Sequence, residues 1–378
     1  MITSEDISCS PASGAFIHSP LIRIYSDIKD PAMAHVPVNF SKNGTIASTC
    51  SNSTEAWVYS ALSGYIFTIA VLGIVFNLLV LMVFCLHKKP CTVAEIYLSN
   101  LAAADLILMS VLPFWGINTL KGFNWPFGNA LCKLVNISLN MNVYCNIYFL
   151  VMVSIDRFMA LVQPLSHERI RRPKYAKLCC LLVWCFGLLL SIPVLVYREG
   201  TLFHYQNEAI PVCQLSYPDD MIKLLCEGML PVFGFLIPIP ILSYCTWKII
   251  QALNNRLTEL SSTQKTEHKA TTLILAVLLA FLICWVPFHI IKIMQLLLYA
   301  KIVGGCTFNN VLGISGQIFT YLAYFNSVLN PILYVIVGKT FRKKVREVFK
   351  LSVGRKTMTS SFNSTRTFQL RSTECVSR

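Results

Sequence analysis

One aspartate stands alone in an apolar run, Leu101-Ala102-Ala103-Ala104-Asp105-Leu106. Six more polar side chains interrupt comparable runs: Asn77, Asn142, Asn146, Asn326, Ser327 and Asn330. If these runs cross a membrane, each such group is costly and needs a polar partner or water. Gathered in one place, they would hold water and a monovalent cation around the Asp105 carboxylate. The plainer alternative is hydrogen-bond glue between helices. A lone carboxylate demands a counter-charge, which favours the cation.

A second constellation is Asp156-Arg157-Phe158. A deeply placed arginine wants a carboxylate. Asp156 is adjacent, and Glu267 is a second candidate. Glu267 precedes Trp285 by eighteen residues, or ~27 Å of helix at 1.5 Å per residue. That puts it at the same end as Arg157, where an Arg157–Glu267 bridge would clamp two helices. Trp285-Val286-Pro287 supplies a kink, since proline removes a backbone hydrogen bond. An aromatic just before the kink can sense what fills the cavity above it. Asn330-Pro331-Ile332-Leu333-Tyr334 closes the last apolar run with a second proline.

These groups need long helices to carry them. The chain has 378 residues, 55% hydrophobic and 13% charged, against about 25% charged in an ordinary soluble domain. Seven stretches reach the roughly 20 apolar residues of a membrane span: about 57–86, 95–120, 132–161, 175–197, 221–251, 268–298 and 308–337. The expected fold is all-α, a seven-transmembrane-helix bundle (57–337) with a cytoplasmic amphipathic eighth helix (338–350). No internal repeat appears. The Met1–Asp6 start lacks a basic n-region, so no cleavable signal peptide is expected.

The net charge of +14 follows topology rather than nucleic-acid binding. With the N-terminus outside, the outer segments carry six Lys/Arg, the inner segments 23 and the helices three. Lys/Arg excess marks the cytoplasmic side. Residues 1–56 are then an extracellular tail, glycosylated at the sequons of Asn39, Asn43 and Asn52. Fifteen cysteines show no metal-ligand spacing. A bridge between Cys132 and Cys213 would pin a loop over the bundle mouth. Cys50 and Cys306 are a second possible pair, with Cys9 as a competitor. Beyond Gly338, Phe341, Val345, Val348 and Phe349 fall on one helical side. Arg342, Lys343, Lys344, Arg346 and Lys350 fall on the other, as on a helix lying on an anionic lipid surface. The Ser/Thr-rich tail 351–378 is expected to be disordered, cytoplasmic and open to phosphorylation.

Together these residues resemble the rhodopsin-like (class A) G-protein-coupled receptors. Asn77, Asp105, Arg157, Trp184, Pro238, Pro287 and Pro331 stand at family positions, one per helix and in order. The resemblance implies a sodium pocket at Asp105, Asn142, Asn146, Asn326 and Ser327. It also implies a G-protein-engaging Arg157, a switch at Asn330, Pro331 and Tyr334, and a Cys132–Cys213 disulfide. Implied partners are a heterotrimeric G protein, arrestin, receptor kinases and membrane lipid, at the plasma membrane. Phe158 replaces the usual tyrosine of the arginine motif. Thr246 replaces a tyrosine often found eight residues after Pro238.

Within that family the segment from Cys85 to Leu106 is similar to the bradykinin receptors of the type-2 subtype. So are Leu112-Pro113-Phe114-Trp115, Leu215-Ser216-Tyr217-Pro218 and Tyr334–Lys339. Type-1 receptors carry a lysine where this chain has Asn140. The resemblance implies a kinin peptide agonist, Gq-like calcium signalling, and a ligand set of Arg198, Asn140, Trp115 and Phe288 with acids of the outer loops. Gln295 and Phe308 or Asn309 stand where type-2 receptors have acidic residues, and Lys292 adds positive charge. Glu199, Glu208, Asp219, Asp220 and Glu227 are the replacement acids, and an altered kinin preference is expected. A receptor for another vasoactive peptide, type-1 or angiotensin-like, is the nearest alternative. A transporter would show repeats or a polar pathway, a retinal photoreceptor a lysine within 308–337, and an enzyme a catalytic constellation. None is visible in the sequence.

Overall fold

Hydrocarbon offers no partner to backbone N–H and C=O groups, so long apolar segments close their hydrogen bonds internally as helices. Seven such helices are present in the described residues: Trp57–Leu86, Val93–Leu120, Gly128–Val162, Pro173–Tyr197, Asp220–Asn254, Thr272–Tyr299 and Val311–Ile336. They are called the first to seventh spans below. The computed structural model describes residues 56–87, 90–162, 172–205, 208–255, 262–300, 302, 306–338 and 341–350.

The polarity of the bundle is inverted relative to a water-soluble protein. Asp105, Asn77, Asn146, Asn326 and Ser327 are fully buried, while Leu181 and Leu182 are each 59% exposed. The third span packs against the second, fourth and fifth and touches the sixth. It is therefore the axis that positions polar groups from every side. A capping box starts the second span: Glu95 N–H donates to Thr92 Oγ1, and Thr92 N–H to Glu95 Oε2 at 2.9 Å. The fourth span bends at Ser191, where the helix Pro173–Leu190 gives way to the short helix Ile192–Tyr197.

The chain is not wholly helical. Strand β1 (Arg198–Tyr205) pairs antiparallel with β2 (Glu208–Leu215), with Gly200 opposite Cys213. This hairpin is a loop element added to the expected helical bundle. It is anchored at the start of the third span by the Cys132–Cys213 disulfide, with a Cα–Cα distance of 5.7 Å. Trp125 N–H donates to Pro211 O at 2.7 Å, tying the loop between the second and third spans to β2. Gly200 permits a close approach: a Cβ there would lie 3.0 Å from Asn129 Cα.

The fifth span is also more elaborate than one uniform helix. Its turn Val232–Leu236 is a π-helix, closed by Ile237 N–H to Val232 O at 3.1 Å. Pro238 has no N–H to continue the regular ladder, and the wider turn absorbs the mismatch.

At the end of the bundle opposite the hairpin, residues 341–350 form the expected eighth helix. Phe341 and Val348 are buried, and Phe341 packs edge-on against Phe84. Two expected placements are corrected. Lys344 is 7% exposed rather than on the outer face, and Phe349 is 49% exposed. Lys344 lies three residues after Phe341, on the same helical face. Its charge is met by Glu95, 2.7 Å away. Residues 1–55 and 351–378 lie outside the described residues, with the expectations for Asn39, Asn43, Asn52, Cys50 and the tail.

Candidate functional site

The mouth of the bundle lies under the hairpin. Arg198 opens β1, and its guanidinium stands 6.0 Å from the Trp115 ring centroid. Its Nε points at Cys213 Sγ, 3.5 Å away. Burial pushes Arg198 down to about 10, opposed by the nearby Glu227, Tyr217 and Tyr324. It therefore stays cationic at neutral pH. The Tyr217 hydroxyl donates to Glu227 Oε1 at 3.1 Å. Burial raises the Tyr217 pKa, and Glu227 raises it further. A cation, a carboxylate and an aromatic wall thus meet at this point.

The other expected contacts divide in two. Asn140 Nδ2 donates to Ser191 Oγ at 3.4 Å, bracing the bend of the fourth span. Phe288 is buried edge-on against Trp285, with centroids 5.5 Å apart, and Lys292 Nζ lies 5.9 Å from the Phe288 centroid. Gln295 Nε2 reaches Leu312 O at 3.4 Å, linking the sixth and seventh spans across Gly316. Asp219 is spent as a helix cap, accepting from Ile222 N–H at 2.7 Å. Asp220 accepts a hydrogen bond from the Tyr299 hydroxyl. Glu208 pairs with Tyr205 through the backbone, and its side chain lies outside the described residues.

The polar centre gathers around Asp105. Asp105 Oδ1 accepts from Asn142 Nδ2 at 3.1 Å, Asn146 Nδ2 at 2.7 Å and Ser327 Oγ at 2.7 Å. Asp105 Oδ2 accepts from Asn330 Nδ2 at 3.1 Å. Asn326 donates to Asn146 Oδ1 at 3.3 Å, and Asn77 to Ser327 O at 3.0 Å. The donors are consumed, but the acceptors are not. The Oδ1 atoms of Asn77, Asn142, Asn326 and Asn330 are buried without a donor among the described residues. Buried oxygens without donors, beside a carboxylate, have the chemistry of hard-cation ligands.

Toward the opposite end, Trp285 stacks on Phe281 with centroids 5.8 Å apart, just before Pro287. Tyr334 is buried, three residues after the helix-interior Pro331. Arg157 Nε donates to Asp156 Oδ2 at 3.0 Å, and Nη2 bonds the same oxygen. Asp156 is therefore the arginine's partner here. Glu267 falls in the helix Ser262–Tyr299, but its side chain lies outside the described residues.

The sequence model described as 7 transmembrane receptor (rhodopsin family) matches residues 76–334, which hold this arrangement. The chain belongs to the rhodopsin family of seven-transmembrane receptors. A B2 bradykinin receptor of Homo sapiens is 44% identical over 310 residues, covering 82% of this chain and 79% of that one. A B2 bradykinin receptor of Oryctolagus cuniculus is 41% identical over 335 residues, covering 87% and 88%. A B1 bradykinin receptor of Homo sapiens is 37% identical over 309 residues, covering 80% and 87%. The chain is thus a multi-pass membrane receptor and not an enzyme.

For a rhodopsin-family receptor, the structure brings together all seven centre residues and the Asp156–Arg157 pair. The Cys132–Cys213 disulfide is present. The Cys306 side chain and all of Cys50 lie outside the described residues. Two further participants, His289 and Asn100, escaped the sequence reading. His289 is 1% exposed, stacked on Phe235 of the fifth-span π turn at 5.2 Å. It sits one helical turn after Trp285, and that spacing was its one visible signal. The Trp184 indole N–H donates to Asn100 Oδ1 at 3.0 Å and ties the fourth span to the second.

Proposed function

We propose that this receptor reads a kinin peptide and passes the signal to a heterotrimeric Gq-like protein, with the N-terminus outside the plasma membrane. The observation that carries the reading is the Arg198–Trp115 pair beneath the hairpin, in a chain 41–45% identical to B2 bradykinin receptors over most of its length. A kinin ends in a carboxylate, and Arg198 supplies a cation with an aromatic wall beside it. Asn140 and Phe288 complete the floor. Orientation rests on the Lys/Arg excess of the segments assigned inside.

The proposed cycle starts at Trp285. Peptide above Phe288 displaces the ring, and the sixth span pivots outward at Pro287. Arg157 then leaves Asp156 and Glu267 for the G protein. Asp105, Asn142, Asn146, Asn326 and Ser327 would hold a sodium ion, which would supply the counter-charge to the buried carboxylate, while Asn330, Pro331 and Tyr334 carry the movement of the seventh span. Agonist must bind the open state better than the closed one, because equal affinity shifts no population. Arrestin and receptor kinases engage the Ser/Thr-rich tail.

The mouth also supports an altered peptide preference. Gln295 is neutral and engaged with Leu312, Lys292 is cationic, and Asp219 and Asp220 are held in local contacts. Fewer free carboxylates face a cationic peptide end. Calcium release across a kinin panel tests this. A kinin with a less basic N-terminus is expected to match or exceed bradykinin, and full potency for standard bradykinin alone would remove the altered preference.

A further inference from the structure

A crevice of about 300 Å³ opens on the outer surface of the bundle between the first and seventh spans. Phe76 and Leu79 form one wall, Ile332, Val335 and Ile336 the other, and Phe341 of the surface helix closes it. Its lining is apolar. An apolar recess of this kind takes hydrocarbon rather than water. Val335 and Ile336 are 43% and 65% exposed, so the recess faces the surroundings of the bundle.

Its rim is charged. Arg342 Nη1 donates to Val335 O at 2.7 Å and also to Ile336 O. These are carbonyls of the last turn of the seventh span, where a helix runs out of its own donors. The contact fixes the guanidinium beside two lining residues. Arg342 Nε and Nη2 have no partner among the described residues. Arg346 lies one turn further along the same face and is exposed, as is Lys343. A guanidinium with free N–H groups recognises phosphate oxygens in a paired geometry.

We infer that this crevice is a binding site for one anionic phospholipid, its acyl chain between Leu79 and Ile332 and its phosphate on Arg342. The inference rests on the spans lying in a bilayer and not on the kinin reading. Pro331 also lines the crevice, next to Asn330, which bonds Asp105. A bound chain therefore buttresses the seventh span where it reaches the polar centre.

The test is photocrosslinking of the full receptor in phosphatidylcholine vesicles containing a minor share of phosphatidylglycerol. Either lipid carries a diazirine on one acyl chain, and adducts are mapped by peptide mass. The phosphatidylglycerol probe is expected to label 76–80 and 331–336 several-fold more than the phosphatidylcholine probe. Arg342→Gln should bring the two yields together, and Leu79→Trp should remove both adducts. Soluble glycerophosphate should leave the labelling unchanged. Equal labelling by the two probes, or adducts as strong on the lipid-facing Leu178, Leu181 and Leu182, would overturn the site. The comparison of probes on the unaltered receptor decides this even if a variant fails to fold.

Discussion

Lys344 Nζ lies 2.7 Å from Glu95 Oε1, joining the surface helix to the first turn of the second span. Both side chains are largely buried, at 9% and 14% exposure. Removing one partner of a buried pair strands the other charge, which costs about 3 kcal/mol. Lys344→Met and Glu95→Gln should each lower the melting temperature in detergent, although glutamine still accepts the capping bond from Thr92. The exchanged pair, Glu95→Lys with Lys344→Glu, should recover part of the loss. Melting unchanged by either single substitution would show that the pair does not hold the helix.

The Asp105 centre makes a second prediction, about sodium. Agonist affinity should fall several-fold when sodium replaces a bulky organic cation at equal ionic strength. Asp105→Asn keeps the volume and removes the charge, so its affinity should be flat across the same exchange. A sodium response that survives in Asp105→Asn would place the ion elsewhere.

At the opposite end, Glu267→Ala should raise basal signalling if Glu267 shares Arg157 with Asp156. Basal inositol phosphate production at matched surface expression is the readout. Basal activity equal to the unaltered receptor would leave Asp156 as the sole restraint.

Arg198 makes the mouth prediction. Arg198→Gln should weaken a peptide with a free C-terminal carboxylate by about 2 kcal/mol, roughly thirtyfold. It should leave the C-terminally amidated peptide nearly unchanged. Because burial lowers Arg198 only to about 10, the charge persists at neutral pH and is lost as pH rises through that value. Its share of the affinity should therefore be constant across the neutral range. Equal losses for both peptides would assign Arg198 to packing against Trp115.

Much of this was legible in the sequence because the bilayer punishes polarity. Asp105, Asn142, Asn146, Asn326, Ser327 and Asn330 stand out in apolar runs; Asn142, Asn146, Ser327 and Asn330 bond the Asp105 carboxylate, and Asn326 joins through Asn146. The hairpin was less legible. Its strands flank Gln206 and Asn207, which lie outside the described residues, and eight-residue strands beside long spans are a weak signal. The π turn was signalled only by Pro238, which tells that the ladder breaks and not how. Lys344 was misplaced because charge was weighed above period: a three-residue step from Phe341 puts it inward, where Glu95 awaits. Asp219 and Asp220 counted as mouth acids by position, yet local hydrogen bonds claim both.

The central claim is tested most directly by displacing a labelled kinin from membranes bearing this receptor, with intact and C-terminally trimmed kinins as competitors. A type-2-like kinin receptor displaces the label with the intact peptide at least about tenfold better, a difference of about 1.4 kcal/mol. No saturable binding of any kinin to correctly folded, surface-expressed receptor would contradict it.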